Sequence, residues 1–279
     1  MVTNFQERLL TSILFVITLL GSIILSEFAS SILFFAIILL SQREFYNFFK
    51  PTDIKPQMKV GIVGGLAYFT ISVLASQAKL NINTLFLIIP IVFGIFIIEL
   101  FRNRPQPIPN IGYTILGIIY VAIPFTLLHE IAYFANYKFG NTYNYNILIG
   151  YFFVLWANDT GAYLVGRKIG KTKLFERISP KKTWEGSIGG AVFGLIVGYV
   201  NFLLFPEISL IVWLGIAIII VVFGSLGDLV ESLFKRSLNI KDSGKLLPGH
   251  GGVLDRFDGI FISAPMVYTF LKLLEFITS

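Results

Sequence analysis

The sequence predicts an all-α fold, a polytopic membrane bundle of about nine transmembrane helices with its N-terminus inside and its C-terminus outside. Three observations carry that prediction. Of the 279 residues, 55% are hydrophobic and 14% charged, and the mean hydropathy is +0.78. The apolar residues fall into runs of spanning length rather than into an alternating or amphipathic pattern. The cations gather on alternate sides of those runs, as the positive-inside rule requires.

In chain order, the first run, 9–25, follows only Arg8 and lacks a small-x-small cleavage site, so it reads as a retained span. Runs at 28–48, 59–76, 84–101 and 110–134 complete an N-terminal part, 1–145, of lipid-facing scaffold spans with short loops. The C-terminal part, 146–279, holds runs at 146–166, 186–205, 209–230 and 259–277, with loops far richer in polar groups. With the N-terminus in the cytoplasm, 19 of the 22 Lys and Arg fall in inside segments, leaving only Lys79, Lys138 and Lys272 outside. That places the polar loops of the second part on the cytoplasmic face.

Composition also excludes classes. With no cysteine, the chain has no disulfide, thiolate metal site or cysteine nucleophile. Its net charge of +6 suits anionic headgroups, and no nucleic-acid partner is expected. Neither histidine has zinc-ligand spacing, His129 lying near the outer face, and no Walker A or kinase signature is present. Gly186, Gly190, Gly194 and Gly198 recur every four residues along one helix face. Such a face permits close helix approach, inside one chain or between two copies.

The segment 232–258 concentrates five cations, three aspartates, a histidine and four glycines beside apolar spans. Just upstream, Asp228, Glu231, Ser232 and Lys235 share one helix face at i, i+3, i+4 and i+7. Either they form an acidic site at a span's end or they close an ion pair with Lys235. Downstream, Gly251 and Gly252 can expose backbone N–H groups to a phosphate, flanked by Asp255, Arg256 and Asp258. His250 reads as a phosphate donor, a proton-transfer group or a loop-organising hydrogen bond. In the sixth span, Asn158 and Asp159 lie at a depth that calls for a wet cavity or a cationic partner. Lys181 and Lys182 precede the seventh span, whose N-terminus favours anions. Carboxylates suited to a hard cation, surrounded by Lys and Arg, predict an oxygen-rich Mg²⁺ site for phosphoryl or nucleotidyl transfer.

The run from Ser232 through Lys235-Arg236, Lys241-Asp242 and Pro248-x-His250-Gly251-Gly252-x-x-Asp255-Arg256-x-Asp258 resembles the signature of the phosphatidate cytidylyltransferases, or CDP-diacylglycerol synthases. NDTGAYLVGR, SPKKTWEG and GSLGDLVES resemble further family motifs in the expected order. The resemblance implies that CTP and phosphatidate give CDP-diacylglycerol and pyrophosphate with Mg²⁺, a second cation being left open. It implies Asp228 and Asp255 as metal ligands, with Asp258 and Glu231 behind them, and Lys235 and Arg256 beside Asp228 and Asp255 as catalytic groups. Lys181, Lys182, Arg236, His250, Gly251, Gly252, Asn158 and Asp159 become candidates for the CTP or lipid phosphates. It further implies a homodimer, among membrane lipids of a bacterial inner membrane, with the site facing the cytoplasm. The rival readings are a CTP-dependent lipid kinase of the polyprenol type and an anion transporter.

Overall fold

The structure, a computed structural model, describes residues 4–134, 142–244 and 251–278. Among them, eight helices are long and apolar enough to cross a membrane, and a shorter apolar helical stretch covers Leu9–Leu25. The protein is thus an all-α polytopic membrane bundle. The helices are α1 (Asn4–Leu25), α2 (Glu27–Asn47), α3 (Met58–Ser76), α4 (Ile82–Arg102), α5 (Pro107–Ile131), α6 (Tyr145–Ile169), α7 (Trp184–Leu204), α8 (Leu210–Ser237) and α9 (Ile260–Thr278). Their start signals are ordinary ones. Ser26 caps α2 by accepting the Ala29 N–H at 3.1 Å, and Pro107 opens α5.

Contacts divide the chain into two units: Met1–Glu130 with Leu238–Phe257, and Ile131–Ser237 with Asp258–Ser279. The segment 238–257, which a sequence boundary near 145 assigns to the C-terminal part, therefore groups with the N-terminal spans. In the first unit, Phe34, Ile38, Phe45, Val121 and Phe125 form a core that excludes solvent. A buried carboxylate, Glu99 of α4, accepts hydrogen bonds from Gln57 Nε2, Asn110 Nδ2 and Arg102 Nη1, each at 2.7 Å. Three donors satisfy a charge that would otherwise be costly beside lipid.

In the second unit the four-residue glycine stripe on α7 packs within the chain. A Cβ on Gly186 would lie 2.9 Å from the Ala162 carbonyl, and one on Gly190 2.7 Å from Asn158 Oδ1. One on Gly194 would meet Val221 at 2.7 Å, and one on Gly198 would meet Ala217 at 2.9 Å. The stripe thus seats α7 against α6 and α8, which answers the question its spacing left open.

Two features lie beyond the reach of hydropathy. Between α6 and α7 sits an antiparallel hairpin, β1 (Lys173–Phe175) and β2 (Ser179–Thr183). It is tied down by Glu185, whose carboxylate accepts the Lys171 and Thr172 N–H groups at 3.1 Å. The second is a π turn in each of α5 and α8, at Ile118–Ala122 and Ile220–Gly224. Beyond its π turn α8 continues well past the apolar run, to Ser237, so the Asp228 stripe is helical.

Candidate active site

In the second unit, a cleft of about 450 Å³ opens where the C-terminal half of α6, the β2–α7 junction, the post-π stretch of α8 and the start of α9 meet. Its walls supply Asp159 from α6, Lys181 and Lys182 from β2, Asp228 from α8, and Asp258 just before α9. Five residues spread over 100 positions of sequence thus reach one cavity.

Local sequence explains the convergence. The π turn at Ile220–Gly224 inserts an extra residue per turn and shifts the helix face directly before Asp228. Gly227 then lets α8 approach the Asp258 carbonyl, where a Cβ would lie 2.6 Å away. Glycine is required there by space. At the opposite wall, Thr183 caps α7 through the Gly186 N–H at 3.2 Å, and Gly166 of α6 faces that cap closely. The strand carrying Lys181 and Lys182 is thereby fixed against α6.

The electrostatics are those of a site built around charge. Lys182 Nζ lies 2.5 Å from Asp228 Oδ2 and 3.4 Å from the Ser225 carbonyl. Ser232 donates to Asp228 Oδ1 at 3.3 Å. Asp258 is pushed up to about 7, first by burial and then by the charges of Asp228 and Asp159. The Gly259 N–H, at 2.8 Å, and Lys182 hold it back in part. Asn158 is buried and packs under Gly190, with its amide 3.5 Å from Asp159 Oδ1.

The other described residues of the expected site do not line this cleft. Glu231 is fully buried and paired with Lys235 at 3.0 Å, and neither lines the cleft, nor does Arg236. Asp255 belongs to the first unit, where its carboxylate accepts the N–H groups of Ser243 and Gly252, both at 2.9 Å. The Gly252 N–H, expected to meet a phosphate, is therefore engaged within its own loop. Gly251 takes a left-handed φ of 82°, and a Cβ there would also crowd Asp255, at 2.6 Å. Arg256, in the short 3₁₀ turn Leu254–Arg256, is exposed. His250 lies outside the described residues.

One organiser of that loop had no sequence signal. Glu44 of α2, almost completely buried, accepts the Leu254 N–H at 2.8 Å and the Ser243 hydroxyl at 3.2 Å. Gly244 and Gly252 pack directly on its carboxylate. Next to Arg43 in a spanning run, it reads as part of a topological anchor. Tyr163 and Arg167 lie within the motif NDTGAYLVGR but were not singled out as site residues, and both line the cleft.

The pattern that defines the Cytidylyltransferase family matches residues 6–274. The chain belongs to that family. It is 32% identical over 281 residues to a phosphatidate cytidylyltransferase of Bacillus subtilis (strain 168), covering 97% of this chain and 98% of the relative. Proteins of the same name from Staphylococcus saprophyticus and Staphylococcus haemolyticus are 43% and 44% identical over 158 residues, covering 56% of this chain and 57% of each relative.

The cleft's donor set suits a divalent cation of the Mg²⁺ type. Among the described residues no three Asp, Glu or His side chains form a cage. Mg²⁺ does not need one, since it uses one or two protein carboxylates and completes its shell with phosphate oxygens and water. Asp228, with Asp258 or Asp159, supplies that number, and Lys181 and Lys182 bring positive charge to the same walls.

Proposed function

We propose that the chain converts CTP and phosphatidate to CDP-diacylglycerol and pyrophosphate in phospholipid biosynthesis. The observation that carries this reading is the carboxylate-and-lysine cleft of a Cytidylyltransferase-family membrane bundle, supported by the name of a relative matched along almost the whole chain. In the reaction a phosphatidate oxygen bonds to the α-phosphorus of CTP. The bond to the bridging oxygen breaks, and pyrophosphate leaves with that electron pair. Phosphatidate is already anionic near neutral pH, so no strong general base is needed. The protein's tasks are positioning and neutralisation.

Asp228 is the first candidate for holding Mg²⁺, with Asp258 and Asp159 beside it. When bound, the ion would neutralise phosphate oxygens and stabilise charge on the leaving group. Lys182 balances Asp228 at 2.5 Å and stays within reach of anionic oxygens in the same cleft. Lys181 adds a second cation to that wall. Asp255 and Arg256 retain a role through the loop whose backbone Asp255 organises. The distribution of 19 of 22 cations supports a site facing the cytoplasm of a bacterial inner membrane. Association as a homodimer rests on the family resemblance alone.

The test is product identity. Purified protein is incubated with radiolabelled CTP, phosphatidate and Mg²⁺. CDP-diacylglycerol with equimolar pyrophosphate is expected, whereas release of CDP with a newly phosphorylated lipid would show a kinase instead.

A further inference from the structure

The cleft contains a cation that the chemistry above does not use. Arg167 lies in the last turn of α6, eight residues and about 12 Å of helix rise beyond Asp159, on the same cleft-lining face. Its guanidinium is held back toward the cleft by Tyr163: Nη1 donates to the Tyr163 hydroxyl at 3.0 Å, and Cζ lies 5.9 Å from the ring centroid. Lys182 is balanced by Asp228, but Arg167 has no carboxylate within ion-pair distance among the described residues. Lys181, on the same cleft, has none either. Tyr163 is 61% exposed and offers an apolar ring with a polar tip, the form of side chain suited to the level of lipid headgroups.

We propose that Arg167, steadied by Tyr163 and joined by Lys181, is the subsite for the phosphate of the lipid substrate. The proposal rests on the cytidylyltransferase reading and assigns the two ends of α6's cleft face to different ligands. The acidic end, around Asp159, Asp228 and Asp258, takes the nucleotide phosphates through a cation. The arginine end takes a phosphomonoester carried on an apolar stem, which enters at the end of a spanning helix and passes its chains over the Tyr163 ring. Guanidinium is the right group for that ligand, because its planar fork engages two phosphate oxygens at once. The plainer role for such an arginine is to complement the C-terminal dipole of α6 and anchor the span. That role predicts no effect on substrate affinity.

The experiment measures KM for each substrate separately, in detergent micelles of fixed lipid mole fraction, for wild type, Arg167→Ala, Arg167→Lys and Tyr163→Phe. Binding of a fluorescent short-chain phosphatidate without CTP is measured alongside, with the matching diacylglycerol as control. Loss of a charge-assisted phosphate contact corresponds to roughly 10-fold or more in affinity. Arg167→Ala is therefore expected to raise the phosphatidate KM by about that factor and to weaken phosphatidate binding equally, with the CTP KM within about 2-fold. Arg167→Lys should recover part of the loss. Tyr163→Phe, which removes only the hydroxyl that steadies the guanidinium, should raise the same KM by a smaller factor and serves if Arg167→Ala fails to fold. A rise in the CTP KM alone would give the subsite to the nucleotide, and unchanged KM values would leave Arg167 as an anchor; either result overturns the proposal. If wild type binds phosphatidate through Arg167 but forms no CDP-diacylglycerol, the proposed reaction fails while the subsite stands.

Discussion

At the scale of single residues, the carboxylates of the cleft differ in what their loss should do. Asp228→Asn removes the proposed first ligand and should lower pyrophosphate release by more than the roughly 10- to 100-fold of an outer-sphere change, in protein that still elutes as wild type. Asp258 makes a second, pH-dependent prediction. Its pKa is raised to about 7, chiefly by burial and then by the neighbouring aspartates, so the folded protein holds that proton over a range where the unfolded chain has lost it. Without a cation, this group's contribution to stability therefore declines as pH rises from about 4 toward 7. Cation binding needs the ionised form, so Mn²⁺ affinity followed by titration should strengthen as pH rises from about 6 to 8. Asp258→Asn should flatten that dependence. The sequence made Asp228, Asp258, Asp159 and the lysines legible as types and spacings. The family resemblance ranked Asp255 ahead of Asp258, whereas Asp255 accepts N–H groups of its own loop and Asp258 lines the cleft, a difference of backbone geometry that motif spacing does not encode.

At the scale of elements, the glycine stripe of α7 and the loop held by Glu44 make contrasting predictions. Gly190 packs on buried Asn158, so Gly190→Leu should lower the denaturation midpoint, with a cost of about 1–3 kcal/mol from overpacking. Cross-linking between copies should be unchanged, since the stripe is covered by the chain's own helices. Glu44→Ala leaves the Leu254 N–H and the Ser243 hydroxyl without their acceptor, a loss of about 1–3 kcal/mol for buried groups. Hydrogen exchange at Leu254 should accelerate while that of α7 does not, and Glu44→Gln, which keeps an acceptor oxygen, should restore part of the protection. Helix positions were open to reading because twenty-residue apolar runs have one stable solution in lipid. The hairpin was not, because Lys173–Phe175 and Ser179–Thr183 are too short and too charged to carry a strand period, and it is Glu185 that fixes their entry.

At the scale of the whole molecule, the orientation inferred from charge can be tested with unusual ease. The chain has no cysteine, so single substitutions report without background. Arg177→Cys in the hairpin turn should react with a membrane-impermeant maleimide only from the cytoplasmic side, and Lys79→Cys only from the opposite side. Reaction of both from one side would overturn the nine-span, N-in arrangement. The order of the apolar helices was legible, although among the described residues eight reach spanning length and Leu9–Leu25 is shorter. The division of the chain was not: 238–257 follows α8 in sequence but groups with the N-terminal spans, a long-range association for which no local pattern exists.

The π turn of α8 has a consequence for how this gene tolerates change. Removing one residue from 220–224 would leave an apolar helix of spanning length, every motif intact and the charge distribution unaltered. It would nonetheless turn everything downstream by about 100° and draw it back by 1.5 Å, the increments of one α-helical residue. Asp228 would then face away from Asp258. A single-codon deletion in a featureless run of Ile, Val and Phe should silence the protein as completely as mutation of an aspartate, while any comparison of composition, hydropathy or motif scored the two chains as equals.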